Sequence, residues 1–273
     1  MPDSEEDVIV HQISNNIRDS TVQFFRGTIK LIPKAVGSGV LLRFTHRYFL
    51  VTAAHIGDDI DNIFLLIDGE ALTIGGDVYN TPLPPSGKRE DDKIDICICE
   101  LDAGLRDLLL KKHTFLELPD LSIDHKLVDH PIYLVVGYPS TKTKPVYGGK
   151  TIIYTSLTFM TKPFPDFMYD RFGFDPMITI PFEFDGVVKS TELPDPHLAP
   201  SLEGVSGCGV WCITKITSSP KNNRKLIGIV IERVNQPGQK VIIAIKIDYV
   251  TEYLRQELKV KLPKSKQFRG YFE

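Results

Sequence analysis

The sequence predicts an all-β protein of two barrel-sized halves with a helix at its C-terminal end. Short runs rich in Val, Ile, Phe and Tyr recur from about residue 22 to about residue 250, separated by clusters of Gly, Pro, Asn and Asp. Only two segments space their apolar residues as a helix does. The chain has 273 residues, 42% of them hydrophobic, enough to bury a sizeable core as one large domain or two small ones.

Residues 1–20 read as a polar leader. Strands are expected over 22–31, 39–44, 48–52, 63–67 and 94–101, then over 132–136, 151–159, 177–181, 209–214, 226–233 and 240–247. The first helical segment, 102–112, opens on a capping Asp102 and carries Leu105, Leu108 and Leu109. The second, 248–258, opens on Asp248 and carries Val250, Tyr253, Leu254 and Leu258. A polar, strand-poor stretch over 118–129 separates the halves. It gives an N-terminal half over 21–120, a C-terminal half over 121–258 with its helix at 248–258, and a basic tail over 259–273. Two longer Pro-rich segments, 79–92 and 185–204, read as irregular loops, which in a compact domain are functional or mobile.

Charge and cysteine usage narrow the function classes. With 32 Lys and Arg against 35 Asp and Glu, no whole-protein field draws the chain onto nucleic acid or anionic lipid, so neither partner is expected. The N-terminus is acidic where a secretory signal would be basic, and no apolar run approaches the roughly 18 residues that span a bilayer. Cys97, Cys99, Cys208 and Cys212 are too few and too clustered to staple a chain of this length. The expectation is a cytoplasmic protein. Cys97 and Cys99 share a strand face with Asp95, but structural zinc uses pairs spaced C-x₂₋₄-C, and Cys208 and Cys212 are separated by a turn-to-strand junction. All four read as buried small hydrophobes, and no metal or other cofactor is expected. His11, His46, His113, His125, His130 and His197 show no partner pattern, and the charged run 88–93 reads as a solvated loop beside Asp95.

Three segments carry chemistry: LVTAAH over 50–55, KIDICIC over 93–99 and GVSGCGVW over 204–211. Each alone has a plain reading, as a strand end with an incidental histidine, a solvated strand terminus and a turn between strands. Each also stands at the end of a β-patterned run, and the three residue types form a chemical set. A serine hydroxyl is a poor nucleophile until a neutral imidazole takes its proton, and the imidazole needs a carboxylate to fix its tautomer.

Together these segments resemble the chymotrypsin-like serine peptidases over roughly residues 37–258, including the GSG at 37–39 and the order His, Asp, Ser. The resemblance implies two six-stranded Greek-key β-barrels, His55, Asp95 and Ser206 as catalytic triad, and the backbone N–H groups of Gly204 and Ser206 as oxyanion hole. Val205 stands where the digestive members carry an Asp that pairs with a newly cut N-terminus, so activation by that cut is not expected. The chain looks closer to bacterial intracellular trypsin-like peptidase domains, including VGYP over 136–139, and leaves no room after Leu258 for a PDZ domain.

Counting six positions back from Ser206 places Pro200, followed by Ser201, at the floor of the specificity pocket, with no Asp to bind Arg or Lys. Ile231, Glu232 and Arg233 would flank the substrate, Ile231 replacing a serine that often supports the triad Asp. The implied activity is that of a serine endopeptidase acting on proteins or peptides through an acyl-enzyme. Lacking the zymogen switch, it would be gated by an activating protein partner or by loop ordering, as suits host defence or stress response. The alternative from another class is a non-catalytic module that holds a peptide or partner in the same cleft. An esterase would place its serine on a strand-to-helix elbow of an α/β sheet, which the β-rich pattern opposes.

Overall fold

The computed structural model describes residues 5–27, 33–127, 132–146, 151–165, 169–170, 173–184, 187–190, 193–198, 202–213, 223–236 and 239–268. Two curled antiparallel sheets form half-barrels, followed by a C-terminal helix, which is the double-barrel architecture expected. The first sheet holds β1 (Thr21–Arg26), β2 (Lys34–Phe44), β3 (Arg47–Ala53), β4 (Ile63–Ile67), β5 (Glu70–Thr73), β6 (Gly76–Asn80) and β7 (Ile96–Leu101), in the spatial order β5-β4-β1-β2-β3-β7-β6. The chain continues through β8 (Ile132–Gly137), β9 (Thr143–Val146), β10 (Thr151–Tyr154), β11 (Leu157–Thr161), β12 (Thr179–Glu183), β13 (Val187–Ser190), β14 (Leu193–Leu198), β15 (Gly209–Ile213), β16 (Arg224–Gln236) and β17 (Gln239–Lys246). The second sheet runs β11-β8-β15-β16-β17-β12, while β9 with β10 and β13 with β14 form separate hairpins.

The strands read as long apolar runs because many are buried on both faces. In the first sheet Leu41, Leu50 and Cys99 turn into the curl, where they meet Phe24, Leu65 and Leu105. Their neighbours Val40, Leu42, Phe49, Val51 and Ile98 turn the other way. They join Leu134, Val136, Trp211, Ile229 and Ile245 of the second sheet in one core between the halves. In the second sheet Tyr133, Val135, Val210 and Ala244 line the opposite face. A single shared core thus packs one face of the first sheet against one face of the second.

Each expected strand is present within a few residues where the chain is described, with 151–159 broken into β10 and β11, and residues 28–31 of the first expected strand lying outside the described residues. The first sheet has seven strands rather than six. The strands β5 and β6 expose most of their residues and so lack the apolar alternation by which a strand is recognised. The segment 185–204, expected to be irregular, contains the hairpin β13–β14. The helices α3 (Ala103–Leu109) and α4 (Ile247–Gln256) match their expectations, and the Asp102 side chain caps α3 by accepting the Leu105 N–H at 2.8 Å.

Both chain ends depart from the expectation. The leader contains α1 (Glu5–Arg18), whose Val10, Ile13 and Ile17 enter the shared core. Three apolar side chains at 3- and 4-residue spacing suffice to dock a helix that is polar elsewhere. In the basic tail, residues 259–268 pack down, with Val260 and Phe268 buried. Asp124, in the connection between the sheets, accepts the Ser265 hydroxyl at 2.7 Å and the Lys266 N–H at 2.8 Å, while Asp248 of α4 accepts the Asp124 N–H at 2.7 Å. Among the described residues no helix is long and apolar enough to cross a membrane.

Candidate active site

β3 leaves the first sheet at Ala53 and enters α2 (Ala54–Gly57), a single helical turn that carries His55. The turn lies flat on β7. A Cβ on Gly57 would stand 2.4 Å from Cys97 Sγ and 2.5 Å from Asn80 Oδ1, so only glycine permits the approach. Asp95 immediately precedes β7 and takes a left-handed backbone at φ 47°, which is uncommon for a non-glycine residue.

That conformation turns the whole Asp95 residue toward the His55 turn. Its carbonyl accepts the Ala54 N–H at 2.8 Å, Oδ1 accepts the His55 N–H at 2.8 Å, and Oδ2 lies 2.6 Å from His55 Nδ1. The Asp95 side chain is 9% exposed and the His55 side chain 38%. A carboxylate only accepts hydrogen bonds, so Nδ1 carries the ring proton and Nε2 keeps its lone pair.

Ser206 sits in a turn between Gly204, at φ 91°, and Gly207, at φ 87°. The turn is pinned by main chain. Gly207 N–H donates to the Val230 carbonyl at 2.7 Å, Cys208 N–H to Val205 at 3.0 Å and Ser38 N–H to the Ser206 carbonyl at 2.8 Å. A Cβ on Gly207 would fall 2.0 Å from the Ser38 carbonyl oxygen. Ser38, in the GSG noted above, joins the sheets. Its hydroxyl donates to the Gly204 carbonyl at 2.9 Å and accepts the Tyr138 N–H at 3.1 Å, while its carbonyl accepts the Thr52 hydroxyl at 2.7 Å. The carbonyls of Gly204 and Ser206 are therefore both engaged with Ser38. Their N–H groups have no protein acceptor among the described residues.

The strand β16 passes beside this turn through the Val230 carbonyl. Its pairing with β17 shifts between Val230 and Glu232, which leaves Ile231 in a bulge, 3% exposed, in the core between the sheets. Glu232 is exposed as a residue. Nearby protein still removes enough water to raise its carboxyl above the usual range, with repulsion from Asp95 adding to this and His55 opposing it. Arg233 is placed by its strand backbone alone, and Pro200 and Ser201 lie outside the described residues.

One segment is corrected by the structure. The run 88–93, expected to be solvated, is exposed at four residues but draws in two, the Arg89 side chain at 14% exposure and the Asp92 side chain at 8%, in an ion-pair cluster whose third member, Asp58, is 39% exposed. Its mixed charges, KREDDK, look like any exposed loop, and only the fold shows that two of them turn inward. The GSG over 37–39 marks the segment of Ser38 but not the bonds its side chain makes, and nothing in the sequence marks Arg89.

The four cysteines are free and buried, and burial pushes the Cys99 thiol up to about 12 and the Cys212 thiol up to about 11. His125 is held between the Ser122 hydroxyl and the Tyr133 hydroxyl, each at 3.1 Å, and burial with the nearby Lys246 lowers it to about 4. His46 is exposed, His11 is half-buried, and His113 meets the Asp19 carbonyl at 3.2 Å. His130 and the His197 side chain lie outside the described residues.

No family model matches the chain, and no curated protein matches it in sequence. Among solved structures, a thermostable serine protease from an extremophilic microorganism aligns over 85% of this chain and 92% of its own, at 11% identity and a TM-score of 0.45. A likeness this loose leaves the fold to stand on its own two sheets.

Proposed function

We propose that the chain is a serine endopeptidase with the mechanism of the chymotrypsin-like family, using Ser206, His55 and Asp95. The observation that carries the proposal is the doubly bonded Asp95–His55 pair, which leaves His55 Nε2 as a free base at the end of β3. In this mechanism Nε2 takes the hydroxyl proton as Ser206 Oγ bonds to the carbonyl carbon of the substrate. The same proton then passes to the departing amine as the C–N bond breaks. Water repeats the sequence on the acyl-enzyme, releasing the acid and restoring Ser206. Negative charge on the carbonyl oxygen would meet the Gly204 and Ser206 N–H groups, an arrangement in which one donor is typically worth about 100- to 1,000-fold in rate. The substrate is a protein or peptide.

Among the described residues no hydrogen bond joins the Ser206 hydroxyl to His55. Such bonds are often long without substrate and tighten when it binds. The same observation favours the second reading, a binding module that keeps the fold without turnover, and it also suits an enzyme gated by a partner or by loop ordering. A fluorophosphonate probe separates these. The peptidase labels and Ser206→Ala does not. Labelling that appears only with the products of neighbouring genes marks a gated enzyme, strong constitutive caseinolysis removes the gate, and no labelling under any condition leaves the binding module.

A further inference from the structure

We propose that Arg89 is a positioning residue, whose guanidinium locks the turn carrying His55 to the loop carrying Asp95 and so sets the geometry of their hydrogen bond. This rests on the catalytic reading above.

The contacts run from the turn that carries His55 to the residues that flank Asp95. Arg89 presents Nε to Asp58 Oδ2 and Nη2 to Asp58 Oδ1, both at 2.8 Å, in a two-point fork. Asp58 closes α2, three residues after His55, and its own N–H donates to Ala54 at 2.7 Å. The remaining nitrogen, Nη1, donates to Asp92 Oδ2 at 2.7 Å and to the Thr81 carbonyl at 2.8 Å. Asp92 lies three residues before Asp95. Its carboxylate accepts the Ile94 N–H at 3.0 Å and the Thr81 hydroxyl at 2.5 Å, and the same Thr81 oxygen accepts the Ile96 N–H at 3.2 Å, so the residues on both sides of Asp95 are held. Burial alone would raise the Asp92 carboxyl, but these donors and Arg89 together hold it below the ordinary range.

Asp95 needs such a brace. Its left-handed backbone is uncommon for a residue with a side chain and persists only where surrounding contacts hold it. The residue that would lend it a hydroxyl in the resembling family is here the buried Ile231. The Asp92 carboxylate and the Thr81 hydroxyl fix the backbone on either side of Asp95 through the Ile94 and Ile96 N–H groups, and Arg89 fixes Asp92 to the helical turn of His55. A fully exposed ion pair is screened by water and anchors little. This one is largely withdrawn from water on the Arg89 and Asp92 side and hydrogen-bonded at each guanidinium nitrogen. Arg47 offers a matched control. It clamps Glu100 and the Leu258 carbonyl in the same manner but touches neither Asp95 nor the His55 turn.

The experiment compares full-length wild type, Arg89→Ala, Arg89→Lys, Asp58→Asn and Arg47→Ala. Two readouts apply: the downfield proton NMR resonance of His55 Nδ1–H and the rate of fluorophosphonate labelling, with kcat and KM on a cleaved peptide. In Arg89→Ala the resonance broadens or vanishes, and labelling and kcat fall about 10- to 100-fold while KM stays within about twofold, as for a sub-ångström misplacement of reacting groups. Added methylguanidine restores part of the loss, and Arg89→Lys, whose ammonium cannot fork, restores less than the native residue. Arg47→Ala lowers the melting temperature and leaves both readouts unchanged. A folded Arg89→Ala with the wild-type resonance and labelling rate overturns the proposal. Where Arg89→Ala does not fold, Asp58→Asn decides on the same terms, since it removes the fork and leaves Asp92 in place. Failure of the wild type to label defeats the catalytic reading separately, because the resonance reports the His55–Asp95 bond without turnover.

Discussion

His55 and Asp95 are held by ionised and polar side chains, whereas the turn carrying Ser206 is held almost wholly by main chain and by one buried hydroxyl. On the first side Asp95 uses both carboxylate oxygens on His55, and Asp92 and Arg89 stand behind them. On the second, two glycines at positive φ and hydrogen bonds to Val230 and Ser38 define the shape. The difference sets which substitutions each side tolerates. A backbone built from carbonyls and glycines is indifferent to charge and intolerant of added atoms. A pair built from carboxylate and imidazole keeps its shape under isosteric change and loses its chemistry.

Two substitutions test that contrast directly. Asp95→Asn keeps an oxygen for the His55 N–H but turns an amide donor toward Nδ1, which forces the ring into the other tautomer. Labelling and turnover should fall by about 10⁴-fold while the melting temperature stays near wild type. A loss below tenfold would show that the pair does not govern the site. Gly207→Ala should do the reverse. Its Cβ would meet the Ser38 carbonyl at 2.0 Å and the Thr52 hydroxyl at 2.2 Å, on a backbone already at φ 87°. We expect a loss of about 3 kcal/mol or more in denaturant unfolding, with activity lost through the fold. An alanine variant as stable as wild type would mean that the turn is not pressed against β2 and β3 at all.

The same contrast explains what could be read from the sequence. The strands were legible because most are buried on both faces and leave unbroken apolar runs, as in VLL over 40–42 and YLVV over 133–136. The exposed strands β5 and β6 leave no such mark. His55 and Ser206 stood out because each sits at one end of an apolar run among the small residues that a close turn requires, and Asp95 because it opens the apolar run of β7. The GSG over 37–39 flagged the segment of Ser38 but not its role, and nothing flagged Arg89, because their partners lie 166 and 31 residues away, at Gly204 and Asp58, and a contact at that separation has no local signature. Helix α1 was hidden because only three of its described side chains reach the core among polar neighbours.

The smallest of the expected effects falls on the seam between the two sides. Ser38 is fully buried and its hydroxyl ties β2 to the second half, donating to the Gly204 carbonyl and accepting the Tyr138 N–H. Ser38→Ala keeps the Ser38 N–H bond to Ser206, so the turn should remain in place. It leaves the Gly204 carbonyl and the Tyr138 N–H short of a partner, at about 1–3 kcal/mol in denaturant unfolding. A freed Gly204 peptide can also rotate, which would draw its N–H away from the substrate oxygen. Labelling should therefore slow by about tenfold more than the loss of folded protein explains, with the His55 proton resonance unmoved. A slowed rate together with a shifted resonance would mean instead that the two sides are coupled through Thr52, which donates to the Ser38 carbonyl three residues before His55.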